Sequence, residues 1–227
     1  MNSLILFAQA AETESSLLYM YIAACGLLFG PLFLLVSIVF VTLTIMNWLA
    51  ISQNAIVPAE MLEQFYAKWD SKEYQEAYDV ARESDSVLGK ILAAGLVKMS
   101  ADTAAEQAMN DVAEEEVMRL QHRLSYLGTI ASVAPMLGLL GTVWGMIEAF
   151  SVVAATGTPQ PRDLAKGIST ALITTQIGLV IAIPALVLFE VFKNRLARFV
   201  LELDVQTTQA IKHLAGTPVK GTPNKKI

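Results

Sequence analysis

The sequence predicts an all-α membrane protein: three transmembrane helices with long cytoplasmic helical extensions. Three observations carry that reading. The 227-residue chain is 54% apolar and 16% charged, well below the quarter of charged residues usual in soluble domains. Its apolar residues gather into long blocks, each able to supply the roughly 20 residues of a bilayer crossing. The charged residues lie between and after those blocks, in stretches marked by helix-start signals.

Leu4–Ala8 is a short apolar run without a basic flank, too weak for a cleaved leader. We therefore read residues 1–29 as a retained outer segment ending in an interfacial helix over about 15–29. The first apolar block runs from Leu17 to Ile51 and is divided by Gly30-Pro31. A helix rarely continues smoothly through such a pair. The first span is accordingly expected over 30–51, with one long kinked helix as the alternative.

Residues 52–123 hold fourteen acidic and seven basic residues, so this segment belongs in water. Pro58 as a helix opener, Ser71 as an N-cap, and Thr103 with Glu106 as a capping box predict a bundle of helices. The last of them is expected to run directly into the second span, 124–154. ATGTPQPRD is a Pro/Gly turn, placed at 155–163, and the third span follows over 164–194. A charged helix and a polar tail, expected to be disordered, complete 195–227.

Lys and Arg set the orientation. The 52–123 segment carries seven and the chain beyond residue 192 carries seven more, whereas the turn between the last two spans has Arg162 alone. The turn and the N-terminus are thus expected outside, and the helical region and C-terminus in the cytoplasm.

The net charge of −5, with no basic cluster interleaved with aromatics, argues against a nucleic-acid partner. The single Cys25 permits no internal disulfide, and His122 and His213 have no companions at metal-ligand spacing. No cofactor or metal is expected. There is no phosphate-binding Gly-Lys-Ser/Thr loop, no His-Glu-x-x-His and no Gly-x-Ser-x-Gly, so an enzyme is the least favoured reading. Glu114-Glu115-Glu116 reads as the solvated face of a helix.

At 100° per residue, Ala131, Ala134, Gly138, Gly141, Thr142, Gly145 and Ala149 share one arc of the second span. Gly167, Ala171, Thr174, Thr175, Gly178, Ala182 and Ala185 share one arc of the third. Pro135 and Pro184 are expected to bend these helices. Small faces can serve close helix packing, as in Gly141-x-x-x-Gly145, or can line a narrow lumen. The lining set would be Thr142, Thr175, Thr174, Thr170, Gly138, Gly145, Ala171 and Gly178. Between Gly128 and Phe189 the spans carry no deep ionisable residue, with Glu148 near the outer end and Glu190 near the inner end. A threonine hydroxyl cannot take up a proton at useful pH. If protons move here, a second protein must supply the titrating group. Gln176 falls on the apolar side, and a subunit contact is its expected partner.

Two stretches resemble a known family. Ala134-Pro-Met-Leu-Gly-Leu-Leu-Gly-Thr-Val-Trp-Gly145 is similar to the second-span signature of the MotA/TolQ/ExbB proton-channel family. Gly167-Ile-Ser-Thr-Ala-Leu-Ile-Thr-Thr-Gln-Ile-Gly-Leu179 with Ala182-Ile-Pro-Ala185 is similar to its third-span signature. Three spans and a cytoplasmic helical region resemble the ExbB/TolQ branch. The resemblance implies a bacterial inner-membrane pentamer enclosing a dimer of an ExbD/TolR-like single-span protein. The partner's Asp would carry the proton, and a TonB- or TolA-like protein would transmit force. It also places the family's pore threonines on Thr142 and Thr175. One departure stands out: Thr170 sits where many ExbB and TolQ proteins have Glu. A non-conducting scaffold for a partner helix is the alternative that this departure favours, while a small-solute transporter would call for an internal repeat that the chain lacks.

Overall fold

The computed structural model describes residues 28–98, 102–156 and 161–214, the side chains of 102–104, 156 and 163 excepted. All regular elements among the described residues are helices, and three are long and apolar enough to cross a membrane. We number them α1 (Leu28–Ala50), α2 (Gln53–Ile56), α3 (Ala59–Asp70), α4 (Tyr74–Glu83), α5 (Val87–Val97), α6 (Asp102–Thr156) and α7 (Pro161–Leu214). The tail and most of the expected interfacial helix lie outside the described residues. Leu28, Phe29 and Gly30 are already helical ahead of Pro31. Proline is tolerated in membrane helices because neighbouring groups satisfy the freed carbonyls.

The extent of α6 and α7 follows from composition. Each is an unbroken helix more than 50 residues long that carries its internal proline, Pro135 or Pro184. Their charged ends are amphipathic or solvated and their apolar middles need no turn. The helix between the charged region and the second span is therefore continuous.

The chain divides into two compact units. One contains the described residues up to Thr44 together with Tyr126–Phe189. Its core joins Phe29 and Phe33 of α1 to Ala134 of α6 and to Ile181 and Ala182 of α7, with Ile130, Leu137 and Ile177 packed around them. The two phenylalanine rings lie 6.4 Å apart, centre to centre.

The other unit contains Ile45–Ser125 and the chain from Glu190 onward. Ser52 and Ser86 cap α2 and α5 by accepting backbone N–H bonds from Ala55 (3.3 Å) and Gly89 (3.1 Å), which satisfies donors a helix start leaves orphaned. Ser71 proves to close α3 instead of opening α4: its hydroxyl donates to the Ala67 carbonyl. The reason is Lys72, which takes a left-handed φ of 64°. The following N–H groups then turn back, Lys72 to Trp69 and Glu73 to Lys68, an end motif that usually employs glycine. Thr103 lies inside α6, and its capping contacts fall outside the described side chains. Phe65, Leu88, Ile91, Leu92, Met109 and Phe192 are fully buried and form the core of this unit. Glu114 and Glu115 are solvated as expected, but Glu116 is 8% exposed. It accepts from Lys90 of α5 (3.1 Å) and from Arg119 (3.1 Å), so a buried acid ties α5 to α6.

Candidate functional site

The small faces of α6 and α7 meet each other. A methyl group added at Gly138 would touch the Thr175 backbone at 3.0 Å, and one at Gly145 the Ala171 and Gly167 backbone at 3.1 Å. One at Gly178 would strike the Ala134 carbonyl at 2.6 Å, and one at Gly141 the Thr174 side chain at 2.5 Å. At Gly138, Gly145 and Gly178 the neighbouring atoms are backbone of the opposing helix, so the absence of a side chain is what lets the two backbones come this close, while at Gly141 the neighbour is a side chain. Ala134, Ala149, Ala171, Thr174, Ala182 and Ala185 are buried in the same seam. Thr174 has no exposed surface, and its hydroxyl donates to the Ala171 carbonyl at 2.9 Å.

Two of the predicted threonines stand beside the seam. Thr175 is partly exposed and donates across to the Gly138 carbonyl at 3.2 Å. Thr142 is partly exposed and donates to the Leu139 carbonyl of its own helix at 2.6 Å. By helix rotation Thr142 lies about 40° to one side of Gly138, while Leu137 lies about 100° to the other. Thr175 likewise lies about 60° to one side of Gly178 and Ile181 about 60° to the other. Ile181 and Ala182 belong to the core cluster that includes the α1 phenylalanines, and Leu137 packs against that cluster. Because the two helices run antiparallel, these rotations put Thr142 and Thr175 on one flank of the α6/α7 seam. Thr170 is partly exposed but sits about 140° around α7 from Thr175, on the opposite flank.

The chemistry of this flank is that of neutral oxygen. Each hydroxyl hydrogen is engaged by a carbonyl, so what remains free on each threonine is an acceptor lone pair. Among the described residues there is no Asp, Glu, Lys, Arg or His from Gly128 through Ile147, or from Gly167 through Phe189. Glu148 is exposed, and Glu190 is exposed with Lys193 3.7 Å away. Gln176 is exposed on the far side of α7 yet already has an interaction within the chain, so it does not depend on a neighbouring subunit for one. No group of three or more metal-ligating side chains occurs among the described residues.

The distinction between seam and flank was beyond sequence reading. Thr174 and Thr175 share an arc of about 100°, and only the partner helix decides which of them is enclosed. The burial of Glu116 was missed for a similar reason, because its neighbours Glu114 and Glu115 hide it within a run of identical charge.

A polytopic α-helical membrane protein with a tight, glycine-dependent helix pair and an uncharged hydroxyl flank is the class these features define. Residues 83–205, which contain both signatures, match the MotA/TolQ/ExbB proton channel family, and the chain belongs to that family. It is 31% identical over 184 residues to the Tol-Pal system protein TolQ of Haemophilus influenzae, covering 72% of this chain and 78% of the relative. With the TolQ protein of Pseudomonas aeruginosa it shares 32% identity over 181 residues, 71% of this chain and 78% of the relative. The biopolymer transport protein ExbB of Salmonella typhimurium is 43% identical over 74 residues, a third of this chain and 30% of that protein.

Proposed function

We propose that the chain is a stator-type subunit of an inner-membrane motor driven by the proton-motive force. In this reading five copies surround a dimer of an ExbD/TolR-like single-span protein and couple proton flow to mechanical work for envelope transport or maintenance. The N-terminus and the turn before α7 face the periplasm, and the α2–α5 region faces the cytoplasm. A TonB- or TolA-like protein would carry the force onward. Membership of the proton channel family supports the class. The observation that carries the reading is the common flank of Thr142 and Thr175.

A protonated carboxyl on a partner helix can donate to the free lone pairs of these threonines, whereas a carboxylate cannot. The flank would therefore favour the partner's acid while it holds a proton, and release it once the proton has gone. Thr170 lies on the other flank and brings no carboxylate of its own, which leaves the partner's acid as carrier. Gly138, Gly145, Ala171, Thr174 and Gly178 would form the wall behind the lining, fixing Thr142 and Thr175 at one height.

Proton flux into liposomes holding the complex provides the test. Thr142→Val with Thr175→Val should lower flux at least tenfold, while Thr174→Val leaves most of it. Thr142→Ser with Thr175→Ser should retain it. Undiminished flux in the double valine variant would remove the pathway reading. Absence of flux from the unaltered complex with its partner would favour the scaffold.

A further inference from the structure

Away from the threonine flank, aromatic rings and arginines meet where the apolar stretches of α1 and α7 end. Trp48 stands in the last turn of α1, and Glu190, Lys193 and Arg195 are the first charged residues of α7 beyond its apolar stretch. The Arg195 guanidinium lies 6.0 Å from the centre of the Trp48 ring and 5.6 Å from that of Phe199, all within the second unit. Trp48 also meets the fully buried Phe192 edge-on at 6.1 Å. Ring contacts of this kind leave the N–H donors of a guanidinium for other partners. Among the described residues Arg195 makes no hydrogen bond or ion pair, and neither does Arg198, three residues on and about 60° around the helix. Glu190 is turned about 140° from Arg195 and pairs with Lys193, Glu202 pairs with neither arginine, and α1 contains no acid.

Two unpaired arginines at the edge of an apolar surface suit a phosphodiester. Trp48 is 58% exposed, and its indole N–H likewise has no partner among the described residues. Ile45 and Leu49, within about 100° of it on α1, and Val191, about 40° from Arg195 on α7, are each more than half exposed. We propose that this corner binds the headgroup of an anionic phospholipid, with its phosphate between Arg195 and Arg198 and its acyl chains on Ile45, Leu49 and Val191. A guanidinium donates paired N–H bonds to phosphate oxygens, and these are among the strongest hydrogen bonds it forms. The indole N–H can donate to an ester carbonyl at the same depth, where tryptophan is favoured in membranes. A free phosphate ion would gain nothing from the three aliphatic side chains. A zwitterionic lipid brings the same phosphate together with an ammonium that the arginines repel, so the net-anionic headgroup is preferred. The ring contacts already restrain Arg195, so less side-chain freedom is lost on binding.

Quenching of tryptophan fluorescence by brominated lipid tests this. The full-length protein with Trp69→Phe and Trp144→Phe keeps Trp48 as its single indole. It is placed in phosphatidylcholine vesicles that contain equal small amounts of either phosphatidylglycerol or phosphatidylcholine brominated near the headgroup end of the chains. The brominated phosphatidylglycerol should quench with about fivefold higher apparent affinity, the scale of one arginine at an anionic surface. Arg198 is exposed, so Arg198→Gln keeps the fold and should lower that preference at least twofold. Arg195→Gln with Arg198→Gln should remove it, whereas Arg82→Gln leaves it unchanged. Inorganic phosphate, matched in ionic strength by chloride, should not compete. Equal quenching by the two lipids overturns the proposal, as does a preference that survives both substitutions. Loss of the preference to inorganic phosphate would make the ligand a free anion, and quenching by neither lipid would mean that protein covers Trp48; either result equally overturns it.

Discussion

At Gly141 a single methyl group would collide with the side chain of Thr174, while at Gly178 it would collide with a backbone carbonyl, that of Ala134. The two obstructions differ in what can relieve them. A side chain can be shortened; a carbonyl in the middle of a helix cannot move without its helix. Gly141→Ala and Gly178→Ala should each destabilise the protein by about 1–3 kcal/mol, the usual cost of overpacking. Adding Thr174→Ala should recover most of the loss for Gly141→Ala and none for Gly178→Ala. Thermal unfolding of the detergent-solubilised protein reads both, and equal rescue of the two would contradict the packing described. Such detail was only partly legible in the sequence. The spacing of Gly138, Gly141 and Gly145 announced a small face, but which hydroxyl it would enclose depends on the azimuth of the opposing helix, and no local pattern encodes that.

The helices of the second unit are held by contacts of unequal worth. Glu115 and Glu116 both reach Arg119, but Glu115 is exposed and Glu116 is buried and also holds Lys90 on α5. Exposed pairs contribute about 0–1 kcal/mol, while breaking a buried charged network typically costs several. Because Lys90 and Arg119 are themselves about half exposed, water takes up part of that loss. Glu116→Gln should lower stability by about 1–3 kcal/mol, and Glu115→Gln should change it by less than about 0.5 kcal/mol, as chemical denaturation would show. The junction of α3 with the end of α7 adds a pH dependence. His213 bonds Asp70 at 2.9 Å, and its ring lies 4.8 Å from that of Tyr66. Burial raises the Tyr66 phenol above its ordinary value of 10.0. The unfolded chain then loses this proton first, so stability from Tyr66 is present below pH 10 and falls as the pH rises beyond it. Melting temperature followed from pH 9 to 11 should decline, and Tyr66→Phe should flatten the decline. That this region is helical was readable from its charge and from Pro58 ahead of α3, but the serines that cap α2 and α5, Ser52 and Ser86, went unread. The helix boundaries were less legible, since a left-handed Lys72 does the work expected of glycine and moved Ser71 from the start of one helix to the end of another.

A single chain leaves a large apolar surface uncovered on both long helices: Leu139, Leu140, Val143 and Ile147 on α6, and Leu172, Val180, Ile183 and Val187 on α7 are all more than half exposed. Lipid can cover such surface, but the Thr142–Thr175 flank poses a different problem. One flank cannot enclose a path, because water or lipid would reach it from the open side. In the proposed assembly further copies close it, and copies related by rotation alone form a ring when the rotation divides the circle. The proposed ring of five with two partner chains therefore makes a demand on mass: native mass spectrometry of the complex extracted with its single-span partner should give five copies of this chain to two of the partner. Substituting Val143→Arg and Val180→Arg separately then distinguishes lipid from subunit contact. A charge facing lipid near a helix centre should impair membrane insertion, whereas one in a subunit contact should leave insertion intact and release monomers. Intact monomers from the unaltered complex, with flux preserved in liposomes, would mean that the path is closed by something other than copies of this chain.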